Sequence, residues 1–144
     1  MNPVARISLI VAYAVLALAA LGRSSYQIST KLSEAPVPYL VSGVSALLYL
    51  VIAIALWRRW AGVALVGTAI ELAGVLVVGT LGYVEPSWWA DETVWTGYGS
   101  AYGWVPLLLP LAALILLVRE RRARAARAVA SSTAPSAATT GDAR

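Results

Sequence analysis

The chain has 144 residues, 60% hydrophobic and 12% charged, with a formal net charge of +4, so it carries about half the charge of an average soluble domain. Cysteine and histidine are both absent, which excludes disulfides and thiol chemistry and removes the commonest general base and the commonest metal ligand. No enzyme activity, cofactor or metal site is expected, and the positive charge is placed as membrane topology places it, not as nucleic-acid binding would.

The first apolar run, Ile7 to Gly22, lies between Arg6 and Arg23. As a helix it rises only ~24 Å, short of a ~30 Å hydrocarbon core. Two accommodations are open. The arginines snorkel outward, or the helix runs over about 5–27 with Ser24, Ser25, Tyr26 and Gln27 packed inside a bundle. Ala17-Leu18-Ala19 has the A-x-A form of a signal-peptide cleavage site. An uncleaved helix is nonetheless expected, because Arg6 is the only charge before the run and apolar sequence continues past the cut.

Lys31 to Pro38 (KLSEAPVP) reads as an external loop whose prolines stop one helix and lead into the next. A second spanning helix follows over 37–57. Trp57-Arg58-Arg59-Trp60 then forces a tight hairpin into a third, over 61–83, with the arginines in the headgroups and the tryptophans at the interface. Val84 to Gly103 is an acidic, aromatic outer loop. The fourth helix spans 104–127, with Pro106 suited to its first turn and Pro110 expected to kink it or free a carbonyl. Residues 131–144 (SSTAPSAATTGDAR) read as a disordered cytoplasmic tail after a membrane domain of 1–130.

Counting Lys and Arg near the spans sets orientation. Arg6, Arg58, Arg59, Arg119, Arg121, Arg122, Arg124 and Arg127 fall on one side, Arg23 and Lys31 on the other. The expected fold is therefore an all-α, four-transmembrane-helix bundle with both termini cytoplasmic.

Glu71 sits almost at the midpoint of the third helix, where an acid is costly and normally faces other helices or a cavity. Its helical neighbours Ala64, Gly67, Thr68, Gly74, Val75 and Val78 make a mostly small face, the kind that admits a second backbone. Ser42, Ser45 and Tyr49 on the second helix form a matching polar face, so a Glu71 bond to Tyr49 or Ser45 is expected, with Tyr13 at similar depth. Two readings stand: a desolvated carboxyl that exchanges a proton or cation, and a neutral interhelical clamp or partner-binding group. Arg23 either reaches down to pair with Glu71 or snorkels to the outer headgroups.

Trp88, Trp89, Trp95, Tyr98, Tyr102 and Trp104 read as an interfacial belt, as a lid toward Glu71, or as a docking surface for a membrane protein or glycolipid. Arg119 to Arg127 reads as a stop-transfer signal or as a site for anionic lipid or a cytosolic partner.

RSSYQ (Arg23 to Gln27), Glu71 with VVGTLG (Val77 to Gly82), and DETVWTGYGSAYGWVPLLLP (Asp91 to Pro110) resemble a family of small actinobacterial integral membrane proteins over roughly residues 5–120. Ten arginines against one lysine, with abundant Ala and Val, fit a GC-rich bacterium. The resemblance implies four helices and a bacterial inner membrane, and no mechanism. Small multidrug resistance transporters are also similar in having four helices and a buried glutamate, but theirs lies on the first helix. The expected role is an accessory or scaffolding subunit in the lipid bilayer, with a homo-oligomer or another membrane protein as partner. The alternative is a small proton-coupled transporter using Glu71.

Overall fold

A computed structural model describes residues 1–133. Four α-helices account for most of it: α1 (Pro3–Lys31), α2 (Pro36–Trp57), α3 (Ala61–Val84) and α4 (Val105–Thr133). A 3-10 turn (Pro86–Trp88) and a 3-10 segment (Thr96–Tyr102) lie between α3 and α4. α1, α2 and α3 are each long and apolar enough to cross a membrane. The Thr96–Tyr102 segment and α4, bent by 101°, pass the same test together.

The distribution of polarity is the reverse of a soluble bundle's. Val4, Ile7, Val11, Val15 and Leu18 point outward from α1, and Val63, Val66, Ile70 and Val77 from α3, while Glu71, Thr68, Ser42, Ser45 and Gln27 are buried. Water disfavours such a surface over several helices, whereas hydrocarbon accepts it. The arrangement is compatible with a multi-pass membrane protein.

α1 opens with Pro3 in its first turn behind Asn2, whose side chain accepts the Val4 amide at 3.0 Å. It then continues through the polar turn to Lys31, past the expected end at 27. Ser24 and Gln27 are buried there, and the Ser24 hydroxyl donates to the Ala20 carbonyl at 2.7 Å. The back-bond satisfies the Ser24 hydroxyl inside the bundle, whereas Gln27 Oε1 is buried without a partner. α1 packs chiefly on α2, and α3 on α2 and α4.

α2 ends in the doubly bonded helix-stop motif. The Trp60 amide donates to Ala55 O at 2.8 Å and the Arg59 amide to Leu56 O at 3.4 Å, with Arg59 left-handed at φ 60°. A non-glycine residue in that conformation costs ~1–2 kcal/mol. In return the chain reverses within three residues, and the Arg58 guanidinium lies over the Trp60 ring at 5.6 Å.

α4 is one helix through Pro110, so the lost amide leaves the Pro106 carbonyl without its helical donor. Both prolines are buried. Its apolar part, 105–118, rises ~21 Å. Ser131, Ser132 and Thr133, expected in the disordered tail, are the last residues of this helix. The rest of that tail, 134–144, lies outside the described residues.

Candidate functional site

Glu71 is fully buried, as are Tyr13, Tyr49 and Thr68. The Tyr13 hydroxyl donates to Glu71 Oε2 at 2.7 Å. The tyrosine of α1 thus takes the position expected for Tyr49 or Ser45 of α2. The reason is local for Ser45, whose hydroxyl turns back onto the Ser42 carbonyl at 2.8 Å. Tyr49 is held from above: its hydroxyl accepts the indole N–H of Trp95 at 2.7 Å. The Tyr13 and Tyr49 rings stand 6.3 Å apart at a tilt of 47°, inside the range of favourable aromatic pairs. A continuous buried file therefore runs Glu71–Tyr13–Tyr49–Trp95, from the middle of α3 to the loop between α3 and α4.

Glu71 Oε1 has no hydrogen-bond partner, nor do two buried hydroxyls outside the file, Thr68 Oγ1 three residues away on α3 and Ser42 Oγ on α2. An orphaned buried acceptor is expensive and calls for a proton, an ion or an ordered water.

Trp95 overturns the interfacial-belt and outer-surface readings for its own position. It is 6% exposed, and its ring occupies the notch above Gly74, where a Cβ would stand 2.6 Å from Trp95 Cζ3. Tyr98 fills the same kind of notch over Gly79, and its hydroxyl meets Thr80 Oγ1 at 3.1 Å. Gly74, expected to admit a neighbouring backbone, admits an aromatic ring. Trp88 and Trp104 do remain outward, with Tyr83 beside them in the exposed set, and Trp89 is half-buried with its indole nitrogen unbonded.

Arg23 adopts neither expected pose. Its guanidinium donates to the Tyr102 hydroxyl and to the Glu92 carbonyl, each at 3.1 Å. It ties the loop to the C-terminal part of α1, away from Glu71. A second tie joins Tyr39 of α2, whose hydroxyl donates to Asp91 Oδ2 at 2.8 Å. That bond, with the Glu92 amide donating to Oδ1 at 2.7 Å, holds the Asp91 carboxyl below its ordinary range. The sequence reading passed over Tyr39 and Asp91 as a pair. Their signal was a tyrosine at the start of α2 and an aspartate among the three acids of the α3–α4 loop, Glu85, Asp91 and Glu92.

The loop's own geometry serves these ties. Thr93 and Thr96 close a turn through the Thr93 amide and Thr96 Oγ1 at 2.8 Å, and Thr93 Oγ1 accepts the Trp95 amide at 3.0 Å. Gly97, Tyr98 and Gly99 then run left-handed, which turns the chain back toward α4 and seats Gly99 directly on Pro106. The result is a loop tied to α1, α2 and α3, with Trp95 as its buried anchor.

Clefts of 340–410 Å³ open between α3 and α4, between α1 and α2, and beside Tyr98 and Trp104. Glu71 lines none of these three. Among the described residues no group of acids or other ligating side chains is arranged to hold a metal ion. No protein-family model, curated protein or solved structure matches this chain.

Proposed function

We propose that this chain is a four-pass protein of a bacterial inner membrane, with both termini cytoplasmic, and that it works without enzyme chemistry as an accessory or scaffolding subunit. The polar file clamps the bundle and fixes the latched loop as a rigid outer platform, with Trp88, Trp104 and Tyr83 as its exposed aromatic contacts. The observation that carries this reading is the closure of Glu71. It is fully buried, bonded to Tyr13 and roofed by an anchored loop, as suits a structural clamp.

The test is purification of tagged protein from its native membrane. A stoichiometric membrane-protein partner should be lost with Trp88→Ala or Trp95→Ala and kept with Glu71→Gln, whose amide oxygen still accepts from Tyr13. Absence of any such partner would count against the scaffold.

A second reading, proton-coupled transport, is favoured by one observation: the unbonded Glu71 Oε1 beside Thr68 Oγ1. In proteoliposomes, proton-driven uptake abolished by Glu71→Gln would establish it, and uptake that survives Glu71→Gln would end it.

A further inference from the structure

The cleft between the first turn of α3 and the end of α4 has a composition the clamp does not use. It holds about 350 Å³ and is lined by Ala61, Gly62, Leu65, Leu117, Glu120, Arg121 and Arg124, a volume within the ~300–1,000 Å³ of small-molecule sites. Leu65 and Leu117 make an apolar wall facing the bundle, and the arginines form the rim. No side chain caps α3 there. The first-turn amides bonded to the preceding chain are those of Ala61 and Ala64, which leaves the Gly62 and Val63 amides open at the positive end of the helix dipole.

The one acid in the cleft is already neutralised. Glu120 is paired with Arg124 and, at 3.5 Å, with Arg6. Burial alone would raise its pKa, but the Arg124 bond and the surrounding positive charge hold it below the ordinary carboxylate value. Arg121 forms no ion pair among the described residues. The rim therefore keeps unspent positive charge over an apolar wall, at the end of the bundle that carries Arg58 and Arg59.

We propose that this cleft binds the headgroup of one anionic phospholipid. The phosphate would be met by Arg121 and the open Gly62 amide, and the first carbons of the acyl chains by Leu65 and Leu117. Phosphate at a helix N-terminus beside a guanidinium is a strong pairing, and the apolar wall selects a lipid over a soluble anion. The inference rests on the four-pass reading, which puts this end at the inner headgroup level.

Native mass spectrometry of the detergent-solubilised protein tests it, with phosphatidylglycerol and phosphatidylcholine as probes. One phosphatidylglycerol should remain bound per chain, with phosphatidylcholine far weaker. Arg121→Ala should lower occupancy about five-fold, the effect of one arginine on an anionic lipid. Gly62→Leu, which fills the cleft where a Cβ meets nothing within 4 Å, should abolish the adduct without touching a charge. Arg127→Ala, outside the cleft, should leave it unchanged.

Equal losses from Arg127→Ala and Arg121→Ala would mean diffuse electrostatics and overturn the site, as would binding that survives Gly62→Leu. Displacement of the lipid by millimolar inorganic phosphate would reassign the cleft to a soluble anion. These failures leave partner copurification untouched. Labelling of this end from outside the cell would instead overturn the cytoplasmic placement of the termini.

Discussion

The indole N–H of Trp95 donates to the Tyr49 hydroxyl at 2.7 Å, joining a loop residue to the buried file beneath it across 46 positions of sequence. Tyr49→Phe keeps the Trp95 ring over Gly74 and removes only this bond, so docking of the loop should weaken by about 1–3 kcal/mol. Gly74→Ala leaves the bond's partners intact and displaces the ring. Both should speed protease cleavage within 85–103 in reconstituted protein, Gly74→Ala more strongly.

Tyr13 and Glu71 should behave as one unit. Tyr13→Phe strips Glu71 of its one donor, and a buried acid left so costs about 1–3 kcal/mol if neutral and 3–5 kcal/mol if charged. Glu71→Gln should cost less, and Tyr13→Phe combined with Glu71→Leu less than Tyr13→Phe alone. Mild-detergent-to-SDS unfolding midpoints check this ranking. Additive losses in the double variant would show that the two side chains do not interact.

Arg23 serves two acceptors at once, the Tyr102 hydroxyl and the Glu92 carbonyl. Lysine is a single point donor without the guanidinium fork. Arg23→Lys should therefore loosen the loop nearly as much as Arg23→Gln, read as faster hydrogen exchange at 91–103. Full protection in Arg23→Lys would mean that charge alone holds the latch.

Much of this arrangement could be read from side-chain order alone. The apolar runs marked the helices, and the short Trp57–Trp60 link required α2 and α3 to be neighbours. Counting depth from the ends put Tyr13 level with Glu71. Depth says nothing about azimuth, however, so the choice among Tyr13, Tyr49 and Ser45 stayed open until the helices were rotated into place. Trp95 was hidden for a different reason. An aromatic residue in an outer loop is ordinarily interfacial, and only the glycine notches of α3, paired with the loop through non-local packing, turn it inward. The Arg23 latch failed the same way, since its acceptors are a backbone carbonyl and a tyrosine rather than an acid.

Asp91 should set the acid limit of loop docking. Its carboxyl is held below the ordinary value of 3.8 by the Tyr39 bond. The stabilisation is then fully present above that ordinary value and is lost only as pH falls through the lowered one. The loop should stay docked across the neutral and mildly acidic range, and tryptophan fluorescence should shift only in stronger acid. Asp91→Asn should remove that acid transition. A transition near neutrality in the wild type would show that another group governs docking.

The brevity of α4's apolar part has a consequence for the bilayer itself. At ~21 Å against a ~30 Å hydrocarbon core, that flank of the proposed four-pass bundle falls short, by slightly more than the ~24 Å apolar run of α1 does. Snorkelling of Arg119 recovers only part of the difference. On the four-pass proposal the surrounding leaflets would dip toward α4, or the whole bundle would lean, at a cost of a fraction of a kcal/mol for each ångström of mismatch. Two such molecules meeting along α4 share one dent in place of two, so membrane thickness alone would draw copies together by that face.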